Sequence, residues 1–213
     1  MLTIEQVMAE PAPAPLIYYP ESDGKPMGEN DQQRNWIVKI IENLKALFAG
    51  RSDVYVSGDL FWYPVEGNNR VVQAPDAMVV FGRPGYPRGS YKQWQEDGIP
   101  PQVVFEIISP ANTGEEMLRK RAFYQKYEVE EYYVYDPKEG AMEGWLRGSS
   151  GLEAIAAMDR WRSPRLGITF HLNQRGLELR HPDGKPFAEA WEMILRAERL
   201  AAKLRALGID PEA

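Results

Sequence analysis

Hydrophobic and polar positions change period several times along this chain, and each change marks an element. Trp36, Ile37, Ile40, Ile41, Leu44, Leu47 and Phe48 recur at the spacing of one helical face. Asn30 or Asp31 is placed to cap that helix and Gly50 to end it. From Asp53 the period drops to two. VYVSGDLFWYPV reads as a strand or a bulged pair of strands, closed by Pro64 and the turn Glu66-Gly67-Asn68-Asn69. Arg70 to Phe81 predicts a further strand pair, broken at Pro75-Asp76. The loop GRPGYPRGSYKQWQEDGIPP separates it from the apolar run Val103–Ile108.

A helix is predicted from about Gly114 to Tyr127, then a second apolar strand, Glu131 to Tyr135, ended by Asp136-Pro137. Strand, helix and strand in that order imply a parallel pair covered on both faces. Trp145 to Leu179 alternates short hydrophobic runs with Gly and Ser and reads as a small antiparallel extension. In the last segment Met193, Ala197, Leu200, Leu204 and Leu207 follow a 4-3-4-3 heptad spacing. That seam suits an amphipathic helix packed on its own domain, or one that pairs in a homodimer or higher homo-oligomer. Residues 1–28, rich in Pro and Gly after position 10, read as an extended arm. The domain proper is expected over 29–182 and the C-terminal amphipathic helix over 183–213.

Two acids stand where sheets normally exclude them: Asp76 in APDAMVV and Glu106 in VVFEIIS. An unpaired carboxylate in a buried strand costs several kcal/mol, roughly 3–5 when a partner is missing, so each needs a reason. Asp76 has a simple one as a turn residue capping a strand entry. Glu106 has two: an ion pair with an arginine, or a place at the sheet rim. The alternative for both is a shared divalent cation, because two carboxylates on rigid elements supply hard oxygen ligands, to which the carbonyl of Ile107 can add a third. On the helix, Glu116, Lys120 and Tyr124 fall at i, i+4 and i+8 and share one face. Glu116–Lys120 is the favoured order for a solvated ion pair. Yet the helix follows directly on the strand that carries Glu106, and in open α/β sheets sites form at that end of a strand.

Composition narrows the chemistry. The 213 residues contain no cysteine and two histidines, His171 and His181. Disulfides, thiolate zinc and cysteine nucleophiles are therefore excluded, and metal chemistry rests on oxygen ligands, which favours Mg²⁺ or Mn²⁺. A net charge of −6 gives no global field toward nucleic acid, so any DNA contact must be local. Arg83, Arg88 and Lys92, interleaved with Tyr86, Tyr91 and Trp94, are candidates for it; an ordinary solvated loop is the alternative. The first twenty residues lack a basic n-region and an apolar h-region, and no window approaches the roughly 18 apolar residues of a membrane span. A cytoplasmic location without membrane contact is expected.

The run Pro75-Asp76, then VVFEIISPAN (Val103–Asn112), then Lys120 and Tyr124, then EYYVYDP (Glu131–Pro137) resembles the Uma-type endonuclease family of the restriction-endonuclease-like PD-(D/E)XK superfamily. The resemblance covers about residues 25–180, and it lies in the combination of motifs. It implies an α/β (α+β) fold in which a central mixed sheet is flanked by helices, with Mg²⁺ (or Mn²⁺) as cofactor and DNA as partner. It carries the Pro-Asp acid onto Asp76 and the second acid onto Glu106. The superfamily lysine, normally two residues after that glutamate, is replaced at that position by Ile108 and matched instead by Lys120. Glu29 matches an auxiliary acid near the start of the first long helix; Glu116 and Tyr124 are auxiliary candidates on the later one. Ala111, Glu128-Val129 and Tyr132-Tyr133 depart from the usual pattern without touching the three candidate catalytic positions. Three functions compete: a Mg²⁺-dependent DNA endonuclease, a catalytically silent nuclease-fold protein binding nucleic acid or a protein, and an assembly module working through its C-terminal helix.

Overall fold

A six-stranded sheet runs through the protein in the order β1 (Val54–Ser57), β3 (Ala77–Phe81), β5 (Val103–Ile107), β6 (Glu131–Asp136), β7 (Ala141–Gly148), β8 (Gly151–Ala154). The computed structural model describes residues 17–22 and 30–211. Its elements are α1 (Asp31–Leu47), β1 (Val54–Ser57), β2 (Trp62–Tyr63), β3 (Ala77–Phe81), β4 (Tyr91–Lys92), β5 (Val103–Ile107), α2 (Gly114–Lys126), β6 (Glu131–Asp136), β7 (Ala141–Gly148), β8 (Gly151–Ala154), β9 (Thr169–Asn173), β10 (Gly176–Arg180) and α3 (Ala190–Ala206). β5 and β6 pair in parallel, and the other neighbours in the sheet pair antiparallel, so the sheet is mixed.

Every residue of β5 is buried, as are five of the six in β6. Both strands are central, and each face has its own apolar layer. One layer packs Ile37, Ile40 and Leu44 of α1 against Val103, Phe105, Tyr133 and Phe170. The other joins Val104, Tyr132, Val134 and Trp145 to Tyr124 of α2 and Trp62 of β2. Alternation along β5 therefore sends Phe105 to the α1 side and Val104 and Glu106 to the α2 side.

The predicted helices appear with small shifts. Asn30 caps α1, its side chain accepting from the Gln33 N–H at 2.7 Å, but the helix ends at Phe48 rather than Gly50. Thr113 caps α2 in the same way. The strand pair expected over Arg70–Phe81 is a single strand, β3. The stretch before it contributes one antiparallel bridge, Gln73 with Trp62, and then turns at Pro75-Asp76. The loop after β3 carries the short strand β4, paired in parallel with β2. Of the expected extension, β7 and β8 belong to the main sheet and only β9 and β10 form a separate ribbon.

α3 follows the domain without burying a side chain. It is anchored at its start: Asn43 of α1 donates to the Ala188 carbonyl at 2.8 Å and accepts from the Ala188 N–H at 3.0 Å, and Lys39 pairs with Glu189 at 2.9 Å. Trp191, Ile194, Leu200 and Leu207 remain exposed.

Candidate active site

Asp76 immediately precedes β3, and Glu106 is the fourth residue of β5 beside it. The register pairs Ala77 with Phe105, which brings the two acids to neighbouring points on adjacent strands. The Ile107 N–H donates to Asp76 Oδ2 at 2.6 Å, fixing the aspartate to the strand that carries the glutamate. Gly58 makes this approach possible. A Cβ there would lie well inside 3.0 Å of the Asp76 carbonyl oxygen and of Ile41 Cδ1.

Glu106 is 2% exposed, and each of its carboxylate oxygens has a partner. Lys120 Nζ stands 2.8 Å from Oε2, and the Tyr124 hydroxyl donates to Oε1. Both donors come from α2, four residues apart, so one helical turn presents an ammonium and a phenol to one carboxylate. Lys120 is therefore not the outer half of a solvated pair with Glu116. Its side chain is 14% exposed and turns to the sheet. Glu116 instead accepts from the Asn112 amide at 3.2 Å.

Burial pushes the Glu106 carboxyl upward, and the Lys120 charge, the Tyr124 hydroxyl and Asp76 pull against that rise. Burial acts on Lys120 in the opposite sense. The fields of Glu106, Asp76 and Glu116 overcome it, and the ammonium is held above its ordinary range. The Tyr124 phenol is pushed well above its ordinary value by burial and by the adjacent Glu106. With both acids ionised and Lys120 charged, these three residues sum to one negative charge.

Two carboxylates and the Ile107 carbonyl are hard oxygen donors, which suits Mg²⁺ or Mn²⁺. Among the described residues no group of three or more His, Cys, Asp or Glu side chains is arranged to hold a metal. Such a site leaves positions for water and substrate oxygens, the usual habit of Mg²⁺. The charge also fits, since a divalent cation turns a net −1 into +1, the complement of a phosphodiester. The Ile107 carbonyl already accepts from the Gln33 amide at 2.9 Å, which leaves its second lone pair for a cation.

Residues 21–174 match the model of the family described as "Uma2: Putative restriction endonuclease". The chain belongs to the Uma2 family. It is also similar to the crystal structure of a putative nuclease belonging to DUF820 from Anabaena variabilis. That similarity is at 14% identity with a TM-score of 0.50, over 67% of this chain and 77% of that one, and it bears on the fold. No curated protein matches the chain.

The remaining candidates in this Uma2 chain separate. Glu29 lies outside the described residues. Arg83 and Arg88, the candidates for DNA contact, are each held by acids of their own loop. Arg88 Nε lies 2.6 Å from Glu96 Oε1, and its side chain is 4% exposed, held between the rings of Tyr55 and Tyr86. Arg83 pairs with Glu96 at 2.8 Å and with Asp97. Two of the loop's three cations are thus paired with its own two acids. Lys92 is half-buried, with its ammonium 5.9 Å from the Tyr19 ring centre.

Sequence reasoning missed Gln33. Its position in the first turn of a helix gives no sign that its amide reaches a strand 74 residues away. It also missed a second acid within a buried strand, Glu131, fully buried at the start of β6 and bound by Tyr133, Ser163 and the Arg165 N–H. Its place in an apolar strand was the same signal that singled out Glu106.

Proposed function

We propose that this protein is a divalent-metal-dependent endonuclease that hydrolyses DNA phosphodiester bonds. The observation that carries the reading is the convergence of Asp76, Glu106 and Lys120, from two strands and a helix, with the Lys120 ammonium 2.8 Å from Glu106. Membership of the Uma2 family supports it.

Asp76, Glu106 and the Ile107 carbonyl hold Mg²⁺ or Mn²⁺ in this reading. The bound cation supplies Lewis acidity toward the scissile phosphate and lowers the pKa of water. Lys120 remains charged in the field of the acids, so it orients the attacking water and offsets charge growing on the phosphorane rather than serving as the resting base. Tyr124 positions the Glu106 carboxylate. Asp76 is positioned by the Ile107 N–H, and the Gln33 amide holds the Ile107 carbonyl in line.

The test is nicking of supercoiled plasmid by purified protein with Mg²⁺ or Mn²⁺, against Asp76→Ala and Glu106→Ala. Loss of either carboxylate is expected to remove activity by a factor of at least about 100. Nicking by the variants at the wild-type rate would sink the assignment.

A second reading, a catalytically silent nuclease-fold protein, is favoured by the complete internal pairing of Glu106. It predicts no nicking with any divalent ion, while nucleic acid or a protein partner still binds. The exposed apolar residues of α3 support self-association as a separate property. Sedimentation of the full chain should give a mass above one protomer, and removal of residues 190–213 should return it to one.

A further inference from the structure

The second half of α2 is basic in a protein of net charge −6. The run RKRAFYQK, Arg119 to Lys126, holds four cations and no acid. The helical period divides those cations among three directions. Lys120 turns inward to Glu106. Arg121 goes to the β6–β7 side, where its guanidinium lies 5.0 Å from the centre of the Trp145 ring. Arg119 and Lys126 are about two turns apart and share the other flank.

A groove of about 350 Å³ lies on that flank. Phe123, Lys126 and Tyr127 of α2 line one wall, Arg70 and Val72 line the other, and no acid lines either. Val72 stands shortly before Asp76 in the chain, so the second wall is the stretch that leads into the site. The groove is therefore bounded by the two segments that supply Lys120 and Asp76.

Its cations differ from those of the 83–92 loop. Arg83 and Arg88 are already met by the buried Glu96. Arg70 and Lys126 are exposed, and neither joins an ion pair among the described residues. The Lys126 ammonium lies 5.2 Å from the centre of the Tyr127 ring, a contact that holds it at the groove without neutralising it. Arg119 has one acidic neighbour, Glu115 at 3.4 Å, with side chains 71% and 78% exposed. A pair so exposed is weak and screened by salt, so a phosphate can take the place of that carboxylate.

We infer that Arg70, Arg119 and Lys126 form the surface that holds the phosphate backbone of DNA beside the cutting site. The inference rests on the nuclease reading and gives its substrate a place to lie. Lys126 follows Lys120 by six residues, about 9 Å along the helix axis. At a rise of about 3.4 Å per nucleotide, it meets a phosphate roughly two or three nucleotides from the scissile one. Contacts of this kind fix the position of the strand and carry no base information, so they hold any sequence alike.

The test is binding of a fluorescein-labelled DNA duplex to the full chain in EDTA, followed by fluorescence anisotropy over a range of salt concentrations. Each cation that meets a phosphate adds about 0.9 to the steepness of log affinity against log salt. Arg70→Gln, Arg119→Gln and Lys126→Gln should each weaken binding about threefold or more and reduce that steepness by about 0.9, with the melting temperature unchanged. Arg175→Gln, at an exposed cation in the turn between β9 and β10, should leave both quantities at the wild-type value. Failure of wild type to bind, equal losses in Arg175→Gln, or no loss in Arg70→Gln and Lys126→Gln would overturn the surface. So would displacement of the duplex by polyglutamate as effectively as by an equal charge of unlabelled DNA, since the surface would then take any polyanion. Plasmid nicking is scored separately. Nicking with DNA binding unchanged in the variants removes this surface and leaves the nuclease reading intact, whereas binding that the variants weaken, without nicking by wild type, does the reverse.

Discussion

Lys120 reaches Glu106 across 2.8 Å, from the second turn of a helix to the middle of the neighbouring strand. The two lie 14 positions apart in sequence, and this contact is what turns a buried acid into a candidate catalytic one. If Lys120 offsets charge in the reaction, Lys120→Met should lower plasmid nicking by about 100-fold or more. Lys120→Arg keeps the charge, but its planar fork does not replace a compact ammonium, so partial loss is expected. Far-UV circular dichroism checks that both variants fold.

Gly58 tests whether the placement of Asp76 matters independently of its chemistry. Alanine there drives a methyl group into the Asp76 carbonyl and the Ile41 side chain. Overpacking of this kind costs about 1–3 kcal/mol. Because the backbone carrying the acid must move, Gly58→Ala should lose nicking by tenfold or more while still melting cooperatively. Nicking rate and thermal unfolding, measured on the same preparation, decide it.

Glu96 should behave as a structural acid. It is 5% exposed and is held by Arg83 and Arg88. Burial alone raises its pKa, but the two guanidiniums outweigh that and keep the carboxyl below its ordinary range. Glu96→Gln leaves the buried Arg88 charge without its partner, and breaking such a pair costs about 3–5 kcal/mol. Urea denaturation should show this loss, whereas Arg51→Ala, in an exposed pair with Asp53 that water screens, should leave the denaturation midpoint nearly unchanged.

Glu131 gives the opposite pH signature. Burial raises its carboxyl above the ordinary 4.5, and hydrogen bonds from Ser163, Arg165 and Tyr133 only partly reverse the rise. The folded state then holds a proton that the unfolded state has released. Its contribution is fully present below pH 4.5 and is lost as pH rises through the raised folded value. Between pH 4.5 and 8, wild type should therefore lose more stability than Glu131→Gln. Denaturation midpoints across that range measure the difference, and parallel curves would show that Glu131 does not titrate there.

The periodicities of α1, β5, α2 and β6 were legible because local sequence carries them. Apolar spacing sets which face is buried, and Asn30 and Thr113 set where two helices begin. The parallel pairing of β5 and β6 followed from their order along the chain, and Asp76 and Glu106 were conspicuous as charges among apolar neighbours. The three-dimensional arrangement decided the rest. Whether Lys120 pairs with Glu116 or Glu106 depends on how α2 is rotated on the sheet, which the i, i+4 spacing leaves open. The basic loop lost Arg83 and Arg88 to Glu96 because a charge seeks its nearest buried complement, whatever its place in sequence. The reach of Gln33 to Ile107 and the need for a bare Gly58 against Asp76 are both contacts between distant segments. Sequence alone determined which groups could do chemistry; packing determined which of them meet, because burial fixes distances that spacing along a chain does not.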